Sequence, residues 1–195
     1  MINLAGKPEK PIGAVMVLGG GIAGMQASLD LADQGFKVYL IEKQSAIGGK
    51  MAQLDKTFPT NDCAMCTISP KLVEVGRHPN IEVMTLTEVQ DVAGQAGDFQ
   101  VRVRHTARYI DPDKCVACGD CTEVCPVLVP DRFNEGLVDQ HAIYKLYPQA
   151  VPNAFSIHKQ GISPCRDACP AGQRAQGYIA LIREGRWQDA MRVIK

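Results

Sequence analysis

An α/β fold built on a parallel sheet is predicted by three observations near the start of the chain. Ala14 to Leu18 (AVMVL) is continuously apolar, as a strand buried on both faces must be. A glycine turn, Gly19 to Gly24, then opens a helix over 22–34 whose apolar residues Ile22, Met25, Leu29 and Ala32 recur at spacings of three and four. Gly35 stops that helix, and Phe36 to Ile41 is a second apolar run. Strand, turn, helix and strand in this order begin a doubly wound, Rossmann-like sheet.

The later elements follow from similar signals. Residues 45–62 are irregular and punctuated by glycine. Ser69-Pro70 predicts a short helix to Val75, with proline in its first turn. Ile81 to Leu86 is a third strand. Residues 88–92 and 99–105 are two arms of a hairpin around a turn at 93–98 that holds two glycines. In the second arm Phe99, Val101 and Val103 alternate with Gln100, Arg102 and Arg104, which predicts one buried face and one wet face. A boundary falls near Asp111-Pro112. Beyond it come cysteine blocks, a segment at 143–153 with two prolines and little periodicity, and two short helices at 174–183 and 187–194. Trp187 is expected to anchor that helix pair.

Charge and composition exclude some classes. The chain has 21 basic and 21 acidic residues, a balance that argues against a nucleic-acid footprint. The longest apolar run, Ile12 to Met25, is too short for a bilayer span and is broken by glycines. The opening MINLAGKPEKP has no apolar core of a signal peptide. Eight cysteines without an export signal point to metal binding rather than disulfides, and to the cytoplasm.

Gly19-Gly20-Gly21-Ile22-Ala23-Gly24 fits G-x-G-x-x-G. Gly19 serves the tight turn, Gly21 lets main chain approach a pyrophosphate, and Gly24 lets helix and strand pack closely. The amides at the start of the helix, among them those of Ile22 and Ala23, face the phosphates with the helix dipole behind them. Glu42, at the end of the second strand, is placed to accept ribose hydroxyls, and its charge disfavours a 2′-phosphate. Lys43 follows, and then a second glycine pair, Gly48-Gly49, which resembles the FAD domains of two-dinucleotide flavoproteins. FAD is therefore the expected dinucleotide.

Six cysteines fall in two blocks that each end in proline: Cys115-x2-Cys118-x2-Cys121-x3-Cys125-Pro126, and Cys165-x3-Cys169-Pro170. The first block is a signature for a [4Fe–4S] cluster; in bacterial two-cluster ferredoxins its fourth cysteine serves the other cluster. Cys115, Cys118 and Cys121 are thus expected to share one cluster, with Cys169 as the fourth ligand. Zinc is the competing reading of this spacing. Cys125 and Cys165 are candidates for a second cluster. Cys63-x2-Cys66 has three open readings: ligands of that second cluster, a redox dithiol beside the flavin, or buried thiols. His78, His105, His141 and His158 are scattered, form no pattern with an acid and read as surface or structural. Arg102, Arg104, His105 and Arg108 read as a solvated strand face, with an acidic electron-transfer partner as the alternative.

The stretches GGGIAGMQASLDLADQGFKVYLIEK, IGGKMAQLDKTFPTNDCAMC, SPKLVEVGRHPNIEV and DKCVACGDCTEVCPV, within residues 13–157, resemble the N-terminal flavin region of the flavin-bearing iron–sulfur subunit of heterodisulfide reductase. The resemblance implies FAD held by Gly19, Gly21, Gly24, Glu42 and Gly49, a cluster on Cys115, Cys118 and Cys121, and electron transfer in an anaerobic multi-subunit complex. In some such complexes the flavin is proposed to bifurcate electrons. SPCRDACPAGQRAQGYIALIREGRWQDAMRVI resembles the N-terminal helical iron–sulfur domain of the small subunit of glutamate synthase.

The expected organisation is a flexible tail at 1–12, part of a Rossmann-like FAD-binding domain at 13–110, and a ferredoxin-like [4Fe–4S] segment at 111–160. A truncated start of a small helical iron–sulfur domain follows at 161–195. The expected function is an oxidoreductase electron relay between FAD and one or two clusters, in which the protein supplies position rather than catalytic acid–base groups. Expected partners are other redox subunits, a ferredoxin or an NAD(P)H-linked module. Two alternatives stand beside it: the input module of a larger NAD(P)H-dependent enzyme, and a non-enzymatic cluster-bearing docking or assembly subunit.

Overall fold

The computed structural model describes residues 13–159 and 161–194, so the expected tail at 1–12 lies outside the described residues. The chain divides into two compact units, Met1–His158 and Lys159–Lys195.

The first unit is built on three parallel strands, β1 (Ala14–Leu18), β2 (Lys37–Ile41) and β3 (Ile81–Met84), in the order β1-β2-β3. Side chains alternate across β2. Val38 and Leu40 point into the core, while Tyr39 points to the other face. Helices α1 (Ile22–Asp33) and α2 (Ala64–Arg77) bury Met25, Leu29, Ile68, Leu72 and Val75 in one cluster with Val38 and Leu40.

Helix α2 starts six residues before the predicted Pro70, which lies inside it. Proline favours a first turn, but two other signals decide the start. The Cys63 side chain caps the helix by accepting from the Cys66 amide, and Ala64, Ile68, Leu72 and Val75 form one buried stripe. The burial of four apolar side chains outweighs a single misplaced proline.

The hairpin is longer than its sequence suggests. Strands β4 (Thr87–Gln95) and β5 (Asp98–His105) leave a two-residue connection at Ala96-Gly97. The expectation of a buried face on β5 is not met. Phe99 is 61% exposed, and with Val101 and Val103 it lines an open cleft of about 790 Å³ whose other wall is Met16, Tyr39 and Ile41 of the sheet. The apolar faces of ribbon and sheet look at each other without closing.

The cysteine segment does not stand apart. Strands β6 (Leu128–Pro130) and β7 (Asp139–His141) pair, as do β8 (Ile143–Tyr144) and β9 (Ser156–Ile157). Between β8 and β9 the chain returns to the sheet domain: the Ile47 amide donates to Val151 O at 3.0 Å, and the Tyr147 hydroxyl donates to Ile47 O. Tyr147 also stacks on Phe133.

The second unit has a short α4 (Pro164–Asp167) and a helical hairpin, α5 (Ala175–Arg183) and α6 (Trp187–Ile194), turned at Gly185. Trp187 does not anchor the pair, being 63% exposed; small residues do so instead. Ala190 is buried, and Gly177 faces Val193 so closely that a Cβ there would lie 3.3 Å from it.

Candidate functional site: a glycine cradle and two cysteine groups

The cradle forms where β1 gives way to α1. Gly19 has φ +97°, a conformation that only glycine adopts freely, and its amide donates to Ile41 O at 2.8 Å. A Cβ on Gly24 would fall 1.9 Å from Gly19 O, so helix and turn close together only with glycine here. Around Gly19 and Gly21 the opposite holds: a Cβ built on either meets nothing within 4 Å. That open space lies at the N-terminus of α1, whose first turn carries no acidic side chain to compete with an anion. Ile22 and Gly24 are half-buried in that turn and Ala23 is exposed.

Glu42 is buried, and its carboxylate already works for the fold. One oxygen accepts from the Gly20 amide and the other from the Gln44 amide, each at 2.8 Å. Each oxygen keeps further lone-pair capacity for a hydroxyl. Lys43 points to solvent. The second glycine pair presses against the first. The Gly48 amide donates to Gly20 O at 2.7 Å, and a Cβ on Gly49 (φ +57°) would lie 2.8 Å from Gly21 Cα. Both glycine motifs thus frame one opening, and its architecture fits a dinucleotide: a helix N-terminus with its dipole, a buried acid, and open space over Gly19 and Gly21.

Of two residues behind the cradle, the sequence passed over one, Tyr147, and misplaced the other, Arg108. Tyr147 packs under Gly48, and burial, reinforced by the charge of Glu42, raises its pKa from 10.0 to about 12. Arg108 is not on a solvated face. Its guanidinium donates to Ser45 O (2.7 Å), Thr85 Oγ1 (2.8 Å), Ser156 Oγ (2.6 Å) and Ala154 O (3.4 Å). Burial lowers its pKa, which nearby Tyr144 and Cys115 partly offset. The only sequence signal was a cation just past the hairpin. Of its neighbours in the sequence, Arg104 pairs with Glu88, and His105 meets the Thr87 hydroxyl at 2.9 Å. His78, expected to have no acid, lies 3.3 Å from Asp33.

The first cysteine block wraps a tight loop. Ala117 and Gly119 both have positive φ, and Thr122 ties the loop by donating to Gly119 O at 2.6 Å. A four-residue α3 (Asp120–Glu123) follows. Burial pushes the Cys121 thiol up, a main-chain hydrogen bond opposes it, and the charges of Cys115, Cys118 and Asp120 add to the rise. Among the described residues no three His, Cys, Asp or Glu side chains are already gathered to hold a metal ion, so the loop offers its thiols without a closed site. Cys125 is set differently: the main-chain amides of Ile143 and Val127 lower its pKa. In the second unit the amides of Gln173 and Ala171 do the same for Cys169, while Cys165 is exposed.

Cys63 and Cys66 are joined in a disulfide with Cα atoms 5.2 Å apart. Both are exposed, which removes the buried-thiol reading. Each sulfur is bonded to the other, so in this form neither is open to iron, as the cluster-ligand reading needs.

Comparison with known proteins agrees with this geometry. The profile of an FAD-dependent oxidoreductase family matches residues 14–129, and that of a 4Fe–4S dicluster domain matches residues 107–170. A CoB–CoM heterodisulfide reductase iron–sulfur subunit from Methanopyrus kandleri is 56% identical over 142 residues, covering 73% of this chain and 22% of the relative. The corresponding subunit of an H(2):CoB-CoM heterodisulfide,ferredoxin reductase from Methanothermobacter thermautotrophicus is 51% identical over 150 residues, covering 77% and 23%. A protein from Archaeoglobus profundus, named as like that same heterodisulfide reductase subunit, is 48% identical over 182 residues, covering 81% and 26%. The chain spans about a quarter of the length of these relatives. The expected resemblance to this reductase subunit, the α/β flavin fold and the pairing of FAD with [4Fe–4S] are all borne out. Among the described residues no helix is long and apolar enough to cross a membrane. With its match running from β1 through the cysteine loop, the chain belongs to the FAD-dependent oxidoreductase family.

Proposed function

We propose that this chain is the flavin- and cluster-bearing electron-transfer part of a heterodisulfide reductase-type complex, relaying electrons between FAD and [4Fe–4S] centres. The observation that carries it is the placing of the glycine cradle and the Cys115–Cys121 loop on one compact unit. FAD exchanges electrons in pairs or singly, and a cluster takes them one at a time. The amides of Gly21, Ile22 and Ala23 and the dipole of α1 hold the pyrophosphate. Glu42 accepts from the ribose, Gly48 and Gly49 leave room for the dinucleotide to pass, and Lys43 adds positive charge at the rim. Cys115, Cys118 and Cys121 ligate one cluster. Further redox subunits, including a ferredoxin, are the partners that the names of the relatives suggest.

Iron, sulfide and flavin counts on anaerobically purified protein test this reading. Cys115→Ser should remove one cluster's share of iron and of visible absorbance while leaving flavin content unchanged. Equal iron in variant and wild type, or one zinc ion per chain in place of iron, would overturn it.

A further inference from the structure

We propose that Cys63 and Cys66 form a redox-active disulfide that draws its electrons from the bound flavin, an inference that rests on the flavin reading of the cradle. Helices α1 and α2 run parallel in a fixed register. Gln26 accepts from Lys71, and Asp33 meets His78; both pairs are 45 residues apart. Carried back toward the N-termini, the same offset brings Cys66 level with Gly21, the N-cap of α1. Both helices therefore begin at the carboxyl end of the strands, where the cradle opens.

The intervening chain takes the same course. Gly49 abuts Gly21, and a 3-10 turn over Gly49–Gln53 follows it. The chain then closes on the start of α2 through a bridge between Lys56 and Cys63 and a 3.0 Å bond from the Ala64 amide to Asp55 O.

The cysteine pair is suited to turnover. It is exposed, while its neighbours Ala64 and Ile68 are fully buried, so the sulfurs can react without disturbing the core. Cys63 stands at the N-cap and accepts the Cys66 amide at 3.2 Å. A thiolate released there meets the positive end of a 14-residue helix.

In the reaction the Cys63–Cys66 sulfur–sulfur bond breaks and two thiols form. A reduced flavin held in the cradle would supply the two electrons and two protons and be oxidised in turn.

The test uses flavin-loaded, anaerobic full-length protein, compared with its Cys63→Ser/Cys66→Ser variant. In the oxidised wild type, alkylation should leave both cysteines unlabelled; after reduction through the flavin, peptide mass spectrometry should find both labelled. Reductive titration should take two more electrons per wild-type chain than per variant chain, at equal iron content. Labelling before reduction, equal electron counts, or iron lost from a folded variant would each overturn the proposal. Flavin is counted in the same sample. A flavin-free chain overturns the cradle assignment and the electron source with it, whereas a flavin-loaded chain whose disulfide stays closed overturns only the dithiol.

Discussion

Tyr147 shows how much a single residue can do behind a binding site. Its hydroxyl donates to Ile47 O next to the second glycine pair, and its ring stacks on Phe133. Because its pKa is raised from 10.0 to about 12, the neutral phenol contributes stability that is complete below pH 10 and is lost as pH climbs toward 12. Tyr147→Phe should cost about 1 kcal/mol near neutrality, the usual worth of one hydrogen bond. It should also flatten the decline between pH 10 and 12; urea unfolding across that range measures both. Arg108 is the second such residue. Arg108→Ala should destabilise the fold by about 3 kcal/mol, since it strands Thr85 and Ser156 without their charged partner. Lysine should not rescue it, because one ammonium cannot reach acceptors that a planar fork spans. Neither residue was legible in the sequence. Their hydrogen-bond partners lie 23 to 100 residues away, and nothing local in the composition records such a contact.

At the scale of elements, the parts with local causes were legible. An apolar run, a glycine turn and a striped helix specify β1, the cradle and α1 without help from the rest of the chain. The start of α2 was misread because Pro70 is a local signal, whereas Ala64 and Ile68 gain their meaning only by packing on α1. Leu72→Ala, in the middle of that stripe, should cost about 3 kcal/mol, within the range for emptying a closely packed site. Thermal unfolding should register it as a clear drop in Tm. The open face of β5 was misread for the opposite reason. Alternation predicts which side chains share a face, but not whether another surface comes close enough to cover them.

For the whole molecule, the cradle and the first cysteine loop belong to one unit because the chain beyond Asp111 returns to the sheet domain. Ile47, Ser45 and Thr85 on one side meet Val151, Ser156 and Tyr147 on the other, with Arg108 between them. The change of pattern to cysteine blocks, loops and prolines suggested separate modules at the predicted boundary. Hydrogen bonds across that boundary hold the glycine cradle and the cysteine segment in one compact unit, which suits the proposed relay, whose centres must keep a fixed distance for electrons to hop.

The abutment of Gly49 on Gly21 carries a consequence for how this chain can change over time. The obstacle that a methyl group at position 49 would strike is the Cα of another glycine, not a side chain that a second mutation could trim. No substitution at position 21 can repair a change at position 49, because a glycine has nothing left to remove. The second turn must keep its glycine for as long as it leans on the first.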